Sequence, residues 1–334
     1  MIRADASGTA GSGHVMRCLT LAQALQSCGW KVFFASDPET RRVVSKLHDW
    51  PCVELNDPLS PDDIKHHFDN GIDLLITDNY AIGTEYQSAC RPWAGRILAI
   101  DDLANRQHDC DILLDQTLGR SDDSYAHLVP VGTMLLLGTD YALLGADFAR
   151  MRQGALLARQ TRHSQQLLIS AGMTDPLNIT PRLIEAVSIG APGWDIDIVI
   201  GSSCPYLNEI QVAAAKANGR IHIDSQDMSR LMAEADLAIG AAGTTAWERC
   251  CMGLPTLMLT VADNQIDNAR ALDEAGAATY MGDARSLSVS DIAAHVESCV
   301  SDRPKLQSMS HLAARVCNGT GALRATHAIQ KLFN

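Results

Sequence analysis

Short, continuous apolar runs separated by stretches of helical length recur along most of this chain. They fall at 31–35, 73–77, 96–100, 111–114 and 134–137. A run that does not alternate apolar with polar residues is the pattern of a strand buried on both faces, as in a parallel sheet covered by helices on each side. A helical stretch over 147–162 interrupts the series, which restarts at 166–170, 196–200, 220–223, 236–239 and 256–260, with 278–281 as its last member. The spacing predicts an α/β protein of two doubly wound domains, 1–155 and 156–334, with a cleft between them. At 334 residues the chain is longer than one ordinary domain requires. Ligands of such sheets bind beyond the carboxyl ends of the strands, so the residues that follow each run are the candidates.

The first of these segments is Gly11-Ser12-Gly13-His14-Val15-Met16-Arg17, placed where a short strand beginning at Ile2 turns into a helix. Glycines let the backbone approach a bound group, and the free amides of a helix start favour negative charge. His14 thus stands beside an anion site, with an imidazole that can take a proton from water. A dinucleotide fingerprint is the obvious alternative, since Asp37 ends the next strand, but Met16 occupies the place of its third glycine. Asp78-Asn79-Tyr80 and Asp101-Asp102 close two further strands on the same sheet edge, and Arg3 and Asp5 sit at the end of the first. These acids orient an imidazole, hold a sugar hydroxyl or simply cap helices.

In the second half the strongest segment is Gly240-Ala241-Ala242-Gly243-Thr244-Thr245-Ala246-Trp247-Glu248-Arg249, directly after a strand. Gly243, Thr244 and Thr245 can offer amides and hydroxyls to a diphosphate, and Glu248 can accept from ribose hydroxyls. Thr245 and Glu248 also have the spacing of a capping box. Asn264 and Gln265 follow another strand and carry amides suited to sugar hydroxyls and acetamido groups, or to a helix cap. Gly172-Met173-Thr174-Asp175 follows a third and can clasp a phosphate or a uracil ring.

Composition narrows the partner. A formal net charge of -12 repels nucleic acids and anionic membrane surfaces, so a small molecule is expected. The ten cysteines show neither a CxxC pair nor a zinc-ligand spacing and read as reduced thiols, which fits a cytoplasmic protein. No apolar run approaches the length of a membrane span, and an acid at position 5 comes too early for a signal peptide. The oligomeric state is not encoded in any of these features.

Taken in order, Arg3-Ala4-Asp5, the Gly11 to Arg17 segment, Asp78-Asn79-Tyr80, the 110–114 run, Tyr141-Ala142-Leu143-Leu144, Gly172-Met173-Thr174-Asp175, Ala242 to Arg249 and Ala262-Asp263-Asn264-Gln265 resemble the UDP-2,4-diacetamido-2,4,6-trideoxy-beta-L-altropyranose hydrolase family of pseudaminic acid biosynthesis (PseG). The resemblance covers nearly the whole chain. It implies a GT-B architecture of two Rossmann-like domains, like that of MurG-type transferases, with the nucleotide on the C-terminal domain. It further implies that His14 is the catalytic histidine, that the segment with Gly243, Thr244, Thr245 and Glu248 holds diphosphate and ribose, and that Asn264 and Gln265 meet the ligand. Their places at strand ends add Arg3, Asp5, Gly13, Arg17, Asp78 and Tyr80 as sugar-side candidates and Gly172, Met173, Thr174 and Ala242 as UDP-binding ones. The chain departs from the family at Gly145, where an arginine usually follows the Tyr-Ala-Leu-Leu motif, and in a first strand that begins a few residues late.

The implied reaction is hydrolysis of a UDP-linked deoxyaminosugar without metal or other cofactor. One base suffices, because a nucleotide diphosphate leaves without protonation when helix amides meet its charge. Direct displacement predicts inversion at the anomeric carbon. A glycosyltransferase, a hydrolysing UDP-sugar 2-epimerase and a non-catalytic nucleotide-sugar binding module are the alternatives that share this site.

Overall fold

The computed structural model describes residues 1–8, 11–68, 70–161 and 165–333. The chain divides into two compact units, one of Met1–Leu144 with Thr320–Asn334 and one of Gly145–Gly319. This division differs from the expected 1–155 and 156–334 in two respects. The boundary lies before the helix Ala146–Thr161 rather than within it, and the last segment of the chain rejoins the first unit. The expected end of that helix, Arg162, lies outside the described residues.

The first unit is built on seven strands: β1 (Ile2–Ala4), β2 (Phe34–Ser36), β3 (Cys52–Glu54), β4 (Ile72–Asp78), β5 (Ala94–Ile100), β6 (Ile112–Asp115) and β7 (Met134–Leu137). They pair in parallel in the order β3-β2-β1-β4-β5-β6-β7. Alternate residues of the central strands are apolar towards both layers, which is why the runs are continuous in sequence. Ile76, Leu98, Ile100, Ile112 and Leu114 meet one layer, which includes Leu21 and Leu25 of the helix Gly13–Ser27 and Ala325 and Ile329 of the helix Gly321–Gln330. Leu75, Ile97, Ala99 and Leu113 meet the other, with Tyr86 and Tyr125. The edge strand β3 is half-exposed and carries only Cys52 and Val53 as apolar residues, so it left no apolar run to read.

The second unit holds six strands: β8 (Gln166–Ser170), β9 (Asp195–Ile200), β10 (Arg220–Ile223), β11 (Leu237–Ala241), β12 (Thr256–Thr260) and β13 (Thr279–Asp283). Their order is β10-β9-β8-β11-β12-β13, again parallel. Leu167, Ile169, Ile198, Ile239 and Leu257 form a core with Leu183, Val187, Ile292 and Val296 from its helices.

Each sheet therefore has one place where the chain stops adding strands on one side and starts on the other. In the first unit this reversal lies between β1 and β4, and in the second between β8 and β11. At such a point the two outgoing loops diverge and leave a crevice beyond the strand ends. Among the described residues the ten cysteines form no disulfide. Among the described residues, no helix is long and apolar enough to cross a membrane.

Candidate functional site

In the first unit, β1 and β4 deliver the predicted residues to the same crevice. The loop after β1 closes on itself through the amide of Gly11, which donates to the Ser7 carbonyl at 2.9 Å with Gly11 at φ 78°. This turn launches the helix Gly13–Ser27, whose first turn contains no acidic residue and whose N-cap position, Ser12, makes no side-chain capping bond. Gly13 is the first helical residue and His14 the second. Asp78 is the last residue of β4, with Tyr80 just beyond it.

His14 and Asp78 meet there: His14 Nδ1 lies 2.6 Å from Asp78 Oδ1. An ionised carboxylate can only accept, so the proton resides on Nδ1 and the Nε2 lone pair is left available. Arg17, one helical turn further on, donates to Asp78 through Nε and Nη2, both at 2.6 Å, and to Asp102 Oδ2 through Nη1 at 2.8 Å. Its Nη2 also approaches His14 Nδ1 to 3.1 Å; with Nδ1 protonated this is a close approach and not a bond. Burial on its own pushes the Asp78 carboxyl up, but the charges and hydrogen bonds of Arg17 and His14 outweigh it and hold Asp78 well below the usual carboxylate range. Burial likewise works against the Arg17 guanidinium, and Asp78 and Asp102 together raise it well above its ordinary value. The Tyr80 ring stands edge-on to the imidazole, with centroids 4.6 Å apart. His14 is thus clamped on one nitrogen, packed on one edge, and 13 % exposed at its side chain.

The other residues expected on the sugar side have different work. Arg3 is fully buried and donates to the Pro58 carbonyl from Nε and Nη2, at 3.2 and 2.8 Å, and to Asp5 Oδ2 at 2.6 Å. Asp5 in turn accepts from the Asp37 amide and from Asn79 Nδ2, at 2.7 and 2.8 Å. These bonds tie the ends of β1, β2 and β4 together, so the pair shapes the crevice, with Arg3 Nη1 left without a hydrogen-bond partner. Arg17 likewise spends its donors on Asp78 and Asp102. Asp101 points inward, to Arg106 at 2.7 Å and the Tyr125 hydroxyl at 2.9 Å, and caps the turn at Ala104. Arg106 was not singled out from the sequence, yet it lies 5.9 Å from the Tyr80 ring centroid. Nothing in a loop arginine signals that position without the fold.

In the second unit, three loops leave adjacent strand ends β8, β11 and β12. The Gly172 loop bends at φ 120°, but the helix after it starts only at Thr180. Asp175 caps that helix through bonds to the Ile179 and Thr180 amides, and Thr174 is buried, leaving Gly172 and Met173 at the surface. After β11, Ala242 is buried and its amide donates to the Leu259 carbonyl, so that amide is already engaged. Gly243, Thr244 and Thr245 are half-buried. Among the described residues, the amides of Gly243 and Thr244 have no acceptor.

The helix Thr245–Cys251 has Thr244 at its N-cap position without a side-chain bond, so Thr245 and Glu248 do not form the capping box their spacing allowed. Its Trp247 is wholly buried and anchors the helix in the core. Gln265 takes the Val261 amide on its Oε1, and its Nε2 lies 3.7 Å from where a Cβ on Gly243 would stand. The β11 and β12 loops therefore converge, with Asn264 exposed at the rim. Among the described residues, no group of three or more His, Cys, Asp and Glu side chains can hold a metal ion.

Residues 199–324 match the glycosyltransferase family 28 C-terminal domain. The spore coat polysaccharide biosynthesis protein SpsG of Bacillus subtilis is 24 % identical over 99 % of this chain and 98 % of its own length. The UDP-2,4-diacetamido-2,4,6-trideoxy-beta-L-altropyranose hydrolase of Campylobacter jejuni is 27 % identical over 83 % of this chain and 96 % of its own. The chain spans about half, 54 %, of an uncharacterised protein of Methanocaldococcus jannaschii that is 24 % identical over 76 % of this chain. Among solved structures, MurG of Acinetobacter baumannii superimposes with a TM-score of 0.69 at 18 % identity, covering 99 % of each chain. The chain is thus an α/β protein of GT-B type, a homologue of the Campylobacter hydrolase that shares its fold with MurG.

Proposed function

We propose that this protein is a UDP-sugar enzyme that hydrolyses a UDP-linked 2,4-diacetamido-2,4,6-trideoxy sugar at its anomeric carbon, with His14 as the base. The observation that carries the reading is the 2.6 Å contact between His14 Nδ1 and Asp78 Oδ1 at the reversal point of the first sheet. It fixes the tautomer in which Nε2 accepts a proton. In the proposed step, water attacks the anomeric carbon on the face opposite UDP and gives its proton to Nε2. The bond from that carbon to the diphosphate oxygen breaks, and its electron pair leaves with UDP.

The nucleotide is assigned to the second unit. The unbonded amides of Gly243 and Thr244 suit a diphosphate, Glu248 suits the ribose hydroxyls, and Asn264 and Gln265 meet the ligand from the next loop. The substrate class comes from the resemblance to the Campylobacter hydrolase. Placement of the activity in the cytoplasm, supply of a free sugar for nonulosonate synthesis and its use in flagellin glycosylation belong to the same proposal.

The family 28 domain and the MurG-like fold favour a second reading, transfer of the sugar to an acceptor hydroxyl instead of water. Incubation with UDP-sugars in 18O-labelled water separates the two. Hydrolysis is expected to release UDP and free sugar without an acceptor, to place the label on the anomeric carbon and to invert its configuration. UDP release that requires an added acceptor would establish the transferase reading and overturn hydrolysis.

A further inference from the structure

Arg249 is 1 % exposed, and among the described residues no carboxylate forms an ion pair with it. Its Nε has no hydrogen-bond partner. A buried cation without a counter-charge is costly and in most proteins is avoided or paired. Burial brings this guanidinium down to about 10, and the neighbouring Cys250 and Glu248 offset that only in part.

The position of the group is specific. It lies against Gly240, where a Cβ would stand 2.5 Å from Arg249 Nη1 and 2.7 Å from the carbonyl of Ser170, the last residue of β8. Gly240 is therefore the residue that lets the guanidinium reach the reversal point between β8 and β11. From there Nη2 donates to the Ala241 carbonyl at 2.6 Å and Nη1 to Thr245 Oγ1 at 3.1 Å.

Ala241 ends β11 and Thr245 opens the helix that follows. Arg249 holds the carbonyl of the first, and the same guanidinium donates to the hydroxyl oxygen of the second. The hydrogen of Thr245 has no acceptor among the described residues, so it is left for a group that approaches the turn from outside. The seven-residue helix behind it is too short to supply the positive field by itself, whereas Arg249 supplies a full charge beneath the turn.

We propose that Arg249 is a positioning residue for a diphosphate: it turns the Thr245 hydroxyl outward and provides the buried positive charge that the ligand's negative charge completes. This rests on the reading that the Gly243 to Thr245 turn holds the nucleotide.

The test is titration of the full-length protein with UDP, uridine and inorganic pyrophosphate at two salt concentrations. Arg249→Gln is expected to weaken UDP and pyrophosphate roughly tenfold to hundredfold while changing uridine little, and to flatten the salt dependence; Arg249→Lys recovers part of the loss. A wild-type ratio of UDP to uridine affinity in a folded Arg249→Gln protein overturns the proposal. If that variant does not fold, Thr245→Val decides. It keeps the shape and removes the hydroxyl, and an unchanged ratio overturns the proposal while a selective loss of UDP supports it. Pyrophosphate separates the two readings. Wild-type protein that binds pyrophosphate but shows no gain from the nucleoside sinks the nucleotide assignment and leaves Arg249 in place, and binding of neither sinks both.

Discussion

Arg17 grips Asp78 as a fork, Nε on Oδ2 and Nη2 on Oδ1, each at 2.6 Å. Two parallel charge-assisted bonds fix the plane of the carboxylate as well as its distance. The lone pair that meets His14 is therefore aimed before any substrate arrives.

If His14 is the base, His14→Asn is expected to lower the catalytic rate by roughly a hundredfold to ten-thousandfold with UDP binding unchanged. Asp78→Asn should approach the same loss by a different route, since its amide can donate to Nδ1 and so place the imidazole proton on Nε2. Single-turnover release of UDP, beside a binding titration, measures both. Near wild-type turnover in the folded His14 variant would move the search for the base to Asp78 or Tyr80.

The acid limb of stability tests the same clamp. The folded Asp78 carboxyl titrates below its unfolded value because Arg17 and His14 outweigh burial. Its contribution is therefore present above the unfolded value of about 3.9 and is lost as pH falls towards the folded one. Urea midpoints of wild type and Asp78→Asn should differ most above pH 5 and converge as the solution is acidified below about 4. A gap that stays constant through that window would show that Asp78 carries no depressed pKa.

Glu248→Ala is expected to weaken UDP and to abolish the preference for UDP over its 2′,3′-dideoxy analogue. Thr244, not Thr245, holds the N-cap position of the helix, so the substitution does not dismantle a capping box. Discrimination equal to wild type would place the ribose elsewhere.

Turnover is expected to persist in excess EDTA, because the proposed leaving group is met by amides and by the charge of Arg249. Loss on chelation with recovery by magnesium or manganese would contradict this and direct attention to Asp78, Asp101 and Asp102.

The strands were legible because apolar residues on both faces leave continuous runs, and His14 stands out as a candidate because a histidine among glycines at a strand end has few structural reasons to be there. Its partner was legible only as one of several acids. His14 and Asp78 are 64 residues apart, and what joins them is the adjacency of β1 and β4, a property of strand order. Asp101 and Asp102 illustrate the limit further: one turns into the core and its neighbour to Arg17, a difference set by a single step of the backbone. Arg3 was legible as a strand-end residue, but its bond to the Pro58 carbonyl, 55 residues away, was not.

The return of the chain to the first unit carries a consequence for how the protein is made. A Cβ at Gly321 would overlap the backbone of Tyr141 and Ala142, so the final helix seats directly on the Tyr-Ala-Leu-Leu segment where the chain first left. Ala322, Ala325 and Ile329 complete the apolar layer that covers β4, β5 and β6. The second unit is thus an insertion, and every residue of it is synthesised before the first unit's core can close. On the ribosome the order of completion is reversed: the unit that begins first finishes last, holding its uncovered layer open to solvent and to chaperones while the inserted sheet folds.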